Sequence, residues 1–346
     1  MRQTVSGRGS ILEEKIREIL EQYPFEVLRL YRGRGAYLCE TGQGLKMIRE
    51  YQGSPSRLVL EGMVKTELIS KGFVYIDMFE ANKDGEYMTV DAEGKTYVVT
   101  RWFEGRECGT KDWEDMQAAA GCLASLHSCM GRTTWDQQLI SAVQGENLFS
   151  EMEKRKRELN RIRNYILKKK QKNDFDRRYM EVYPQAERQA DKALQQMDEA
   201  GYEKLYQKAI QARTFCHGDY TQHNILMSKK YTAIVRFDRM RLDLQVSDLY
   251  LFLRKMMEKN RWNKELGKSI LDAYDRIRPM KKAEMRCLLA MLTFPEKIWK
   301  TGNRYMNTRK SWLSFRNMEK LEKAAGQEKE RLRFLDFLEK YCQKFV

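Results

Sequence analysis

The sequence predicts an α+β protein of two lobes, with an antiparallel β-rich lobe over residues 1–103 and a mostly helical lobe over residues 104–346. Short β-prone runs separated by glycine-containing turns occupy the first lobe. Apolar residues at helical spacing dominate after Gly105. Separate regions of strand and helix along one chain are typical of the α+β class, and they place a hinge near residues 103–107.

The first lobe is predicted to open with a helix. Ser10 and Glu13 have the spacing of a capping box, and apolar residues from Ile11 to Leu20 then recur at helical spacing until Pro24. Glycines punctuate the run from Phe25 to Tyr51, which favours antiparallel hairpins. Further elements are predicted as a helix at residues 58–70, strands at 75–80, 86–90 and 96–103, and turns at 83–85 and 92–94.

The second lobe contains an unusually basic segment. Residues 151–178 are rich in Lys and Arg, yet Met152, Leu159 and Ile166 belong to an apolar stripe at helical spacing. A stripe of this kind predicts a packed helix, and half of a helical hairpin, rather than a disordered tail. We therefore expect a basic helical insertion around residues 148–200.

Composition limits the partners. The 346 residues carry a formal charge of +15 at a pI near 9.3, which favours nucleotides, nucleic acid, anionic membrane surfaces or acidic proteins. The seven scattered cysteines form no C-x-x-C pair, which argues against a disulfide framework or a zinc site and indicates a reducing, cytoplasmic compartment. The N-terminus lacks the apolar core of a signal peptide, and no run of about 18 apolar residues predicts membrane insertion. Nucleic acid is not expected as a partner, because no recognition motif accompanies the charge.

The most informative stretch is residues 215–226, Phe-Cys-His-Gly-Asp-Tyr-Thr-Gln-His-Asn-Ile-Leu. Phosphoryl transfer to a hydroxyl needs a carboxylate to receive the proton and an oxygen ligand to hold Mg²⁺ against the phosphates. Asp219 and Asn224, five positions apart on one loop, have the side chains for these two tasks.

This H-G-D-x-x-x-x-N loop resembles the catalytic loop of the aminoglycoside and choline kinases, small-molecule relatives of protein kinases. The resemblance implies a bilobal protein-kinase-like fold and ATP as cofactor. It makes Asp219 the catalytic base, Asn224 a metal ligand and His217 a residue that supports the loop. The run Leu123-Ala124-Ser125-Leu126-His127 resembles the L-A-x-L-H helix of those kinases. Asp248 resembles the aspartate that supports their catalytic loop.

A narrower resemblance, to the CotS family of spore-coat proteins, extends from about residue 11 to about residue 340. It implies synthesis in the mother-cell cytoplasm, deposition in the spore coat and spore-coat proteins as partners. The residues that carry it are Gly72-Phe73, Lys83-Asp84-Gly85, Trp102 to Glu107, Arg241-Leu242-Asp243, Phe294-Pro295, Trp299, Tyr305, Lys310 and Trp312.

The metal site departs from the kinase pattern. Active relatives have I-D-F-D after the loop, and the first of those aspartates binds Mg²⁺. Here Arg236 takes that position in Ile234-Val235-Arg236-Phe237-Asp238, and a guanidinium has no acceptor for a metal. On a strand, Asp238 would face the same side about 6.6 Å further along, so it is a candidate metal ligand but no automatic replacement. The resemblance thus implies ATP, whereas Arg236 argues against Mg²⁺ and could itself neutralise phosphate.

The lysine that clamps nucleotide in these kinases is also replaced. Arg49 aligns with that lysine, and Glu61 on the next helix is its expected ion-pair partner. Lys46 is the nearest lysine, but three residues earlier on a strand places it on the opposite face. Residues 31–35 fit either a shortened phosphate-covering loop or a plain hairpin turn.

Two functions stay open at this point. The first is a CotS-like coat protein in which the kinase fold, degenerate in metal binding, acts as an assembly or binding module. The second is an active ATP-dependent kinase that phosphorylates a small hydroxyl- or amine-bearing molecule.

Overall fold

The computed structural model describes residues 7–130, 143, 147–307 and 313–345. Lys310 and Trp312, which carry part of the family resemblance, lie outside these residues, as do residues 1–6. The chain divides into two compact units. Among the described residues, the first unit contains 7–108 and 222–239, and the second contains 109–130, 143, 147–221 and the rest from 240 onward.

Helices and strands follow the predicted order, with strands concentrated before residue 108. They are α1 (Gly7–Leu20), β1 (Val27–Gly33), β2 (Ala36–Thr41), β3 (Gly44–Glu50), α2 (Pro55–Ser70), β4 (Phe79–Glu80), β5 (Thr89–Val90), β6 (Thr96–Arg101), β7 (Arg106–Glu107), α3 (Trp113–Cys129), α4 (Leu148–Lys168), α5 (Asp174–Glu199), α6 (Tyr202–Gln211), β8 (Phe215–Cys216), β9 (Ile225–Met227), β10 (Thr232–Ile234), β11 (Arg241–Leu242), α7 (Val246–Lys259), α8 (Lys264–Asp275), α9 (Lys282–Thr293), α10 (Glu296–Met306), α11 (Leu313–Gly326) and α12 (Glu328–Cys342).

The first unit is built on an antiparallel sheet in the order β1-β2-β3-β6-β4, with β5 also paired to β6. Gly35 has a φ of +65° in the β1–β2 turn and Gly44 a φ of +95° at the start of β3, where a side chain would strain the backbone. The predicted antiparallel lobe with its 58–70 helix is therefore confirmed, and α2 begins slightly earlier, after the Ser54 cap.

Helix α1 closes one face of this sheet. Ile16, Ile19 and Leu20 pack with Tyr23 in one buried cluster that includes Ile48 of β3. This is the apolar stripe that the sequence predicts. The helix begins at Gly7, however, so Ser10 lies inside it and is not its N-cap.

The strand predicted at residues 75–80 is shorter than expected. Only Phe79–Glu80 pairs with β6, because the chain before it turns, with the Met78 N–H donating to the Ile76 carbonyl at 3.0 Å. Ile76 instead makes an isolated parallel bridge to Ile234. The 86–90 strand is likewise reduced to Thr89–Val90, while the turns ending at Gly85 and Gly94 form as predicted.

The second unit is mostly helical. Helix α3 packs against α8, and α5 packs against both α4 and α9. The basic stretch forms α4, whose buried Met152, Leu159 and Ile166 confirm the predicted stripe, and α4 and α5 make the expected helical hairpin. Within the described residues, no helix combines the length and the apolar character needed to cross a bilayer.

Candidate functional site

The first half of the H-G-D loop lies in the second unit and is held by Asp248, near the N-terminus of α7. The Asp248 carboxylate accepts the backbone N–H of His217 at 2.6 Å and that of Gly218 at 2.9 Å. Gly218 has a φ of +77°, a conformation that suits glycine. The predicted buttressing role of Asp248 is therefore confirmed, since it fixes the backbone immediately before Asp219.

Asp248 is in turn positioned by His127 on α3. His127 Nε2 lies 3.2 Å from Asp248 Oδ2, and His127 Nδ1 lies 2.7 Å from the Tyr274 hydroxyl. Burial lowers the pKa of His127, an effect that the Asp248 carboxylate opposes only in part. Burial is the largest single effect on the pKa of Asp248 and raises it, but the hydrogen bond from His127 and the nearby His127, His217 and Arg241 side chains together outweigh burial and hold that pKa below its ordinary value. The Leu123–His127 stretch thus acquires a physical role as support for the loop.

Asp219 and His217 are linked within the loop. The Asp219 N–H donates to His217 Nδ1 at 3.2 Å, and the His217 side chain is fully buried. Burial lowers the pKa of Lys255 on α7, while the negative charge of Asp219 acts in the opposite direction. A buried histidine that accepts a backbone hydrogen bond suits an orienting role, although the roles of His217 and Asp219 in catalysis stay predictions.

The second half of the loop belongs to the first unit and leads into a hairpin. Strand β9 pairs antiparallel with β10, with Ile225 opposite Ile234. The Val235 N–H continues this pairing by donating to the Asn224 carbonyl at 3.0 Å. The prediction that strand pairing brings Asn224 beside the segment of Arg236 is confirmed.

Arg236 does not lie on a strand. Its φ of +64° places it in the left-handed region, and residues 237–239 form a 3₁₀ turn. Its backbone N–H donates to Asp77 Oδ2 at 2.8 Å, which accounts for the departure from the extended conformation. The expectation that Arg236 and Asp238 share one face of a strand is therefore wrong. The Arg236 guanidinium donates to the Arg34 carbonyl, in the β1–β2 turn, at 2.8 Å.

Asp238 is already paired with a protein cation. Arg49 Nη2 lies 2.5 Å from Asp238 Oδ1, and only 7% of the Arg49 side chain is exposed. Arg57 adds a hydrogen bond from its Nε to the Asp238 carbonyl at 2.9 Å. The carboxylate that the sequence offers as an alternative metal ligand is thus paired with Arg49.

Glu61 pairs with Lys65, so the predicted Glu61–Arg49 ion pair is wrong. Glu61 Oε1 lies 2.7 Å from Lys65 Nζ, and Asp77 Oδ1 lies 3.0 Å from the same ammonium. Lys65 is one helical turn after Glu61, where i,i+4 side chains meet, so it competes with any partner from the sheet. Burial raises the pKa of Glu61 in spite of Lys65, whereas the two carboxylates raise the pKa of Lys65 against the effect of burial.

Lys46 lies on the other face of β3 from Arg49, as the spacing predicts. Its ammonium pairs with Glu80 and lies 5.8 Å from the centre of the Phe25 ring. Its contacts are with β4 and the segment after α1, whereas Arg49 contacts Asp238 and the Tyr51 ring. Of the two, only Arg49 meets the segment that follows the catalytic-type loop.

These contacts do not fit a Mg²⁺ ion at the position that Arg236 occupies. Two carboxylates in contact with this segment are already bonded, Asp238 to Arg49, and Asp77 to Lys65 and to the Arg236 N–H. In the part of the chain that the structure describes, no group of three or more His, Cys, Asp or Glu side chains could hold a metal.

Comparison with known proteins decides the family. The family model described as "Spore coat putative kinase YutH" matches residues 16–338. The chain belongs to this spore-coat kinase-like family. A curated relative, Spore coat protein S of Bacillus subtilis (strain 168), is 23% identical over 352 residues, which cover 96% of this chain and 96% of the relative. The resemblance to CotS-type proteins is thereby confirmed.

Solved structures support the kinase-like fold of this spore-coat family member. An aminoglycoside phosphotransferase from Alicyclobacillus acidocaldarius subsp. acidocaldarius DSM 446 superposes with a TM-score of 0.85 at 18% identity, covering 95% of this chain and 96% of that one. AMP-bound spectinomycin phosphotransferase gives 0.61 at 16% identity, with 90% and 97% covered. An amicoumacin kinase with AMP-PNP and Ca²⁺ gives 0.56 at 12% identity, with 96% and 94% covered. At these identities the likeness concerns the fold alone.

Two charged residues that contact the predicted site of this spore-coat kinase-like chain were not identified from the sequence. They are Lys65, which pairs with Glu61, and Asp77, which accepts the Arg236 N–H. Lys65 carries a readable signal, since it follows Glu61 by four residues on a predicted helix. Asp77 carries none, because it lies in a run predicted as strand and acts through a contact with a residue 159 positions away.

Proposed function

We propose that this protein is a spore-coat component whose kinase fold serves as a binding or assembly module, and whose phosphate-binding position uses guanidinium groups in place of Mg²⁺. The observation that carries the proposal is the position of Arg236. It replaces a metal carboxylate, and its guanidinium reaches the carbonyl of Arg34 in the β1–β2 turn.

Electrostatics oppose a divalent ion there. One unit charge about 4 Å from another of the same sign costs roughly 1 to 4 kcal/mol, between the limits of water and a protein surface, and Mg²⁺ carries two. Binding would also require Asp238 to leave Arg49, at 2.5 Å. The same cations favour phosphate, because arginine forms bidentate hydrogen bonds to phosphate oxygens and needs no metal to do so.

A nucleotide is the phosphate compound that the relatives suggest. Two of the superposed structures are complexes with AMP and with AMP-PNP. We propose ATP or a related nucleotide as the ligand, with its phosphates against Arg236 and with little dependence on Mg²⁺.

The coat role rests on the family and on charge. The relative is named for the spore coat, and we propose synthesis in the mother-cell cytoplasm followed by deposition in the coat. A formal charge of +15 favours association with acidic coat proteins, which are the partners we propose.

One observation favours the alternative, an active ATP-dependent small-molecule phosphotransferase. The backbone before Asp219 is held by two hydrogen bonds to Asp248, as catalysis would need. A chain that had lost all selection for turnover would have less need of this support, so Asp219 deserves a direct test.

The test is calorimetric ATP binding and ATP turnover across a Mg²⁺ series, for the wild type, Arg236→Asp and Asp219→Asn. We expect wild-type binding to be nearly independent of Mg²⁺, and Arg236→Asp to make it Mg²⁺-dependent by restoring a carboxylate near Asn224. Asp219→Asn should leave affinity unchanged and abolish any turnover. Strong Mg²⁺-dependent turnover by the wild type, lost in Asp238→Asn, would show that Asp238 holds the metal and that the alternative is correct.

A further inference from the structure

A cavity of about 200 Å³ lies within the second unit, between the C-terminal half of α7, the junction of α9 with α10, and the segment where α11 meets α12. None of the eight residues predicted for the kinase site lines it. Phe294 and Pro295, which are among the residues that carry the resemblance to the CotS family, form part of its wall where α9 ends.

The interior of the cavity is mostly apolar and includes two aromatic rings. Trp262 has a φ of +54°, and Arg261 before it a φ of +51°, so two consecutive non-glycine residues hold the left-handed conformation. Such strain persists only where the surroundings fix it. Arg331 lies 5.7 Å from the centre of the Trp262 ring, and it donates to the carbonyls of Leu292, Thr293 and Phe294. The apolar lining consists of Trp262, Leu292, Phe294, Pro295, Ile298 and Ala324.

The charged residues of the lining favour an anion. Five are basic and three acidic, and all three carboxylates are already paired. Glu258 contacts Arg254 and Lys297, while Glu296 contacts Arg155 and Lys300. Glu328 contacts Arg331. The lining therefore has an excess of two positive charges, contributed in part by the half-buried Lys297 and the exposed Lys323.

A buried donor on this wall also lacks an acceptor. Arg254 is 6% exposed, and its Nε–H has no hydrogen-bond partner among the described residues. Buried polar groups without partners are uncommon in native proteins and call for an explanation, such as a ligand. The position of Arg254 beside an apolar space suits a molecule that is apolar at one end and an acceptor at the other.

We propose that this cavity binds a small aromatic carboxylate. The ring packs against Trp262 and Phe294, and the carboxylate faces Arg254 and the lysines Lys297 and Lys323. The proposal is independent of nucleotide binding, because it uses none of the residues around Arg236.

The experiment measures binding to the full chain with benzoate as the probe, benzyl alcohol as a neutral analogue and benzylammonium as a cationic one. The signal is the Trp262 indole N–H resonance, identified by its loss in Trp262→Phe. We expect saturable shifts with benzoate, weaker ones with benzyl alcohol and none with benzylammonium. Ala324→Phe, which fills the cavity, should abolish benzoate binding.

Lys297 and Lys323 provide a second variant, which leaves the apolar lining of the cavity unchanged. The double variant Lys297→Gln, Lys323→Gln should weaken benzoate binding by roughly five- to twentyfold. The matched control, Lys204→Gln with Lys208→Gln on exposed positions of α6, should leave it unchanged. No saturable shift with benzoate, equal binding of benzylammonium, or equal affinity in the two double variants would each overturn the proposal.

Discussion

Arg236 differs from the aspartate expected at its position both in charge and in the hydrogen bonds that it makes. Its backbone is held by Asp77 and its side chain by the carbonyl of Arg34. Asp is among the few residues other than glycine that occupy the left-handed region with some frequency. The proposed Arg236→Asp substitution therefore changes the charge of the site without requiring a new backbone conformation. A change in Mg²⁺ dependence can then be attributed to the charge.

Lys65 is the central residue of a buried ionic cluster in the first unit. It is fully buried between Glu61 and Asp77 and also lies 4.2 Å from the centre of the Phe79 ring. Its ammonium donates to the Asp77 carbonyl at 2.7 Å. A cluster like this is costly to break from one side, because the remaining charges stay buried without a partner.

We predict that Lys65→Met lowers the free energy of unfolding by about 3 to 5 kcal/mol at pH 7. The control is Lys71→Met at the C-cap of the same helix, since Lys71 pairs with Glu67 at the same i,i+4 spacing but at the surface, and it should cost about 0 to 1 kcal/mol. Because burial raises the pKa of Glu61, a proton can neutralise that carboxyl at lower pH, so the loss in Lys65→Met should shrink as pH falls. Urea denaturation at several pH values measures both effects, and equal losses in the two variants would contradict the prediction.

At the scale of elements, the sequence predicted which segments form helices and strands better than where they end. Periodicity identified α2 and α4, whose buried stripes are local properties of the sequence. The end of β10 was not predictable, because the bend at Arg236 depends on Asp77, which is distant in sequence. For the site, the support of the loop by Asp248 and the opposite faces of Lys46 and Arg49 followed from the sequence, whereas the partner of Glu61 depended on a competition between two cations.

Close helix packing around α10 provides an element-scale prediction. A Cβ at Gly302 would lie 2.6 Å from the buried Tyr179 ring of α5, whereas a Cβ at Gly326, at the end of α11, would meet no atom within 4 Å. We predict that Gly302→Ala destabilises the protein by about 1 to 3 kcal/mol through overpacking. Gly326→Ala should instead stabilise it by roughly 0.5 kcal/mol through helix propensity. Thermal unfolding of both variants measures their stability relative to the wild type. A stability change of the same sign in both would contradict this account of packing.

For the whole molecule, the main feature is that the first unit is discontinuous in sequence. Residues 222–239 supply the β9–β10 hairpin that pairs with β7, and they supply Asp238 for Arg49. The Cys108 N–H donates to the Gln222 carbonyl at 3.2 Å, so the two segments join at neighbouring points.

We predict that residues 1–108 alone do not form a stable sheet, because the buried Arg49 and the Asp77 carboxylate lose partners. Residues 1–108 joined to 222–239 by a linker of about five glycine and serine residues should recover protection of the β3 and β6 amides in hydrogen exchange. The same linked chain with Asp238→Ala serves as the control and should recover less. Native-like protection in residues 1–108 alone would show that the second segment is dispensable.

The discontinuity also bears on how the chain is made. A ribosome adds about 5 to 20 residues per second, so the 113 residues between Cys108 and Gln222 take roughly 6 to 23 s to synthesise. During that interval the first unit still lacks the β9–β10 hairpin that pairs with β7 and the Asp238 carboxylate that pairs with Arg49, while the helices of the second unit are synthesised. The N-terminal unit, although translated first, therefore completes its fold only after residue 239 has been translated.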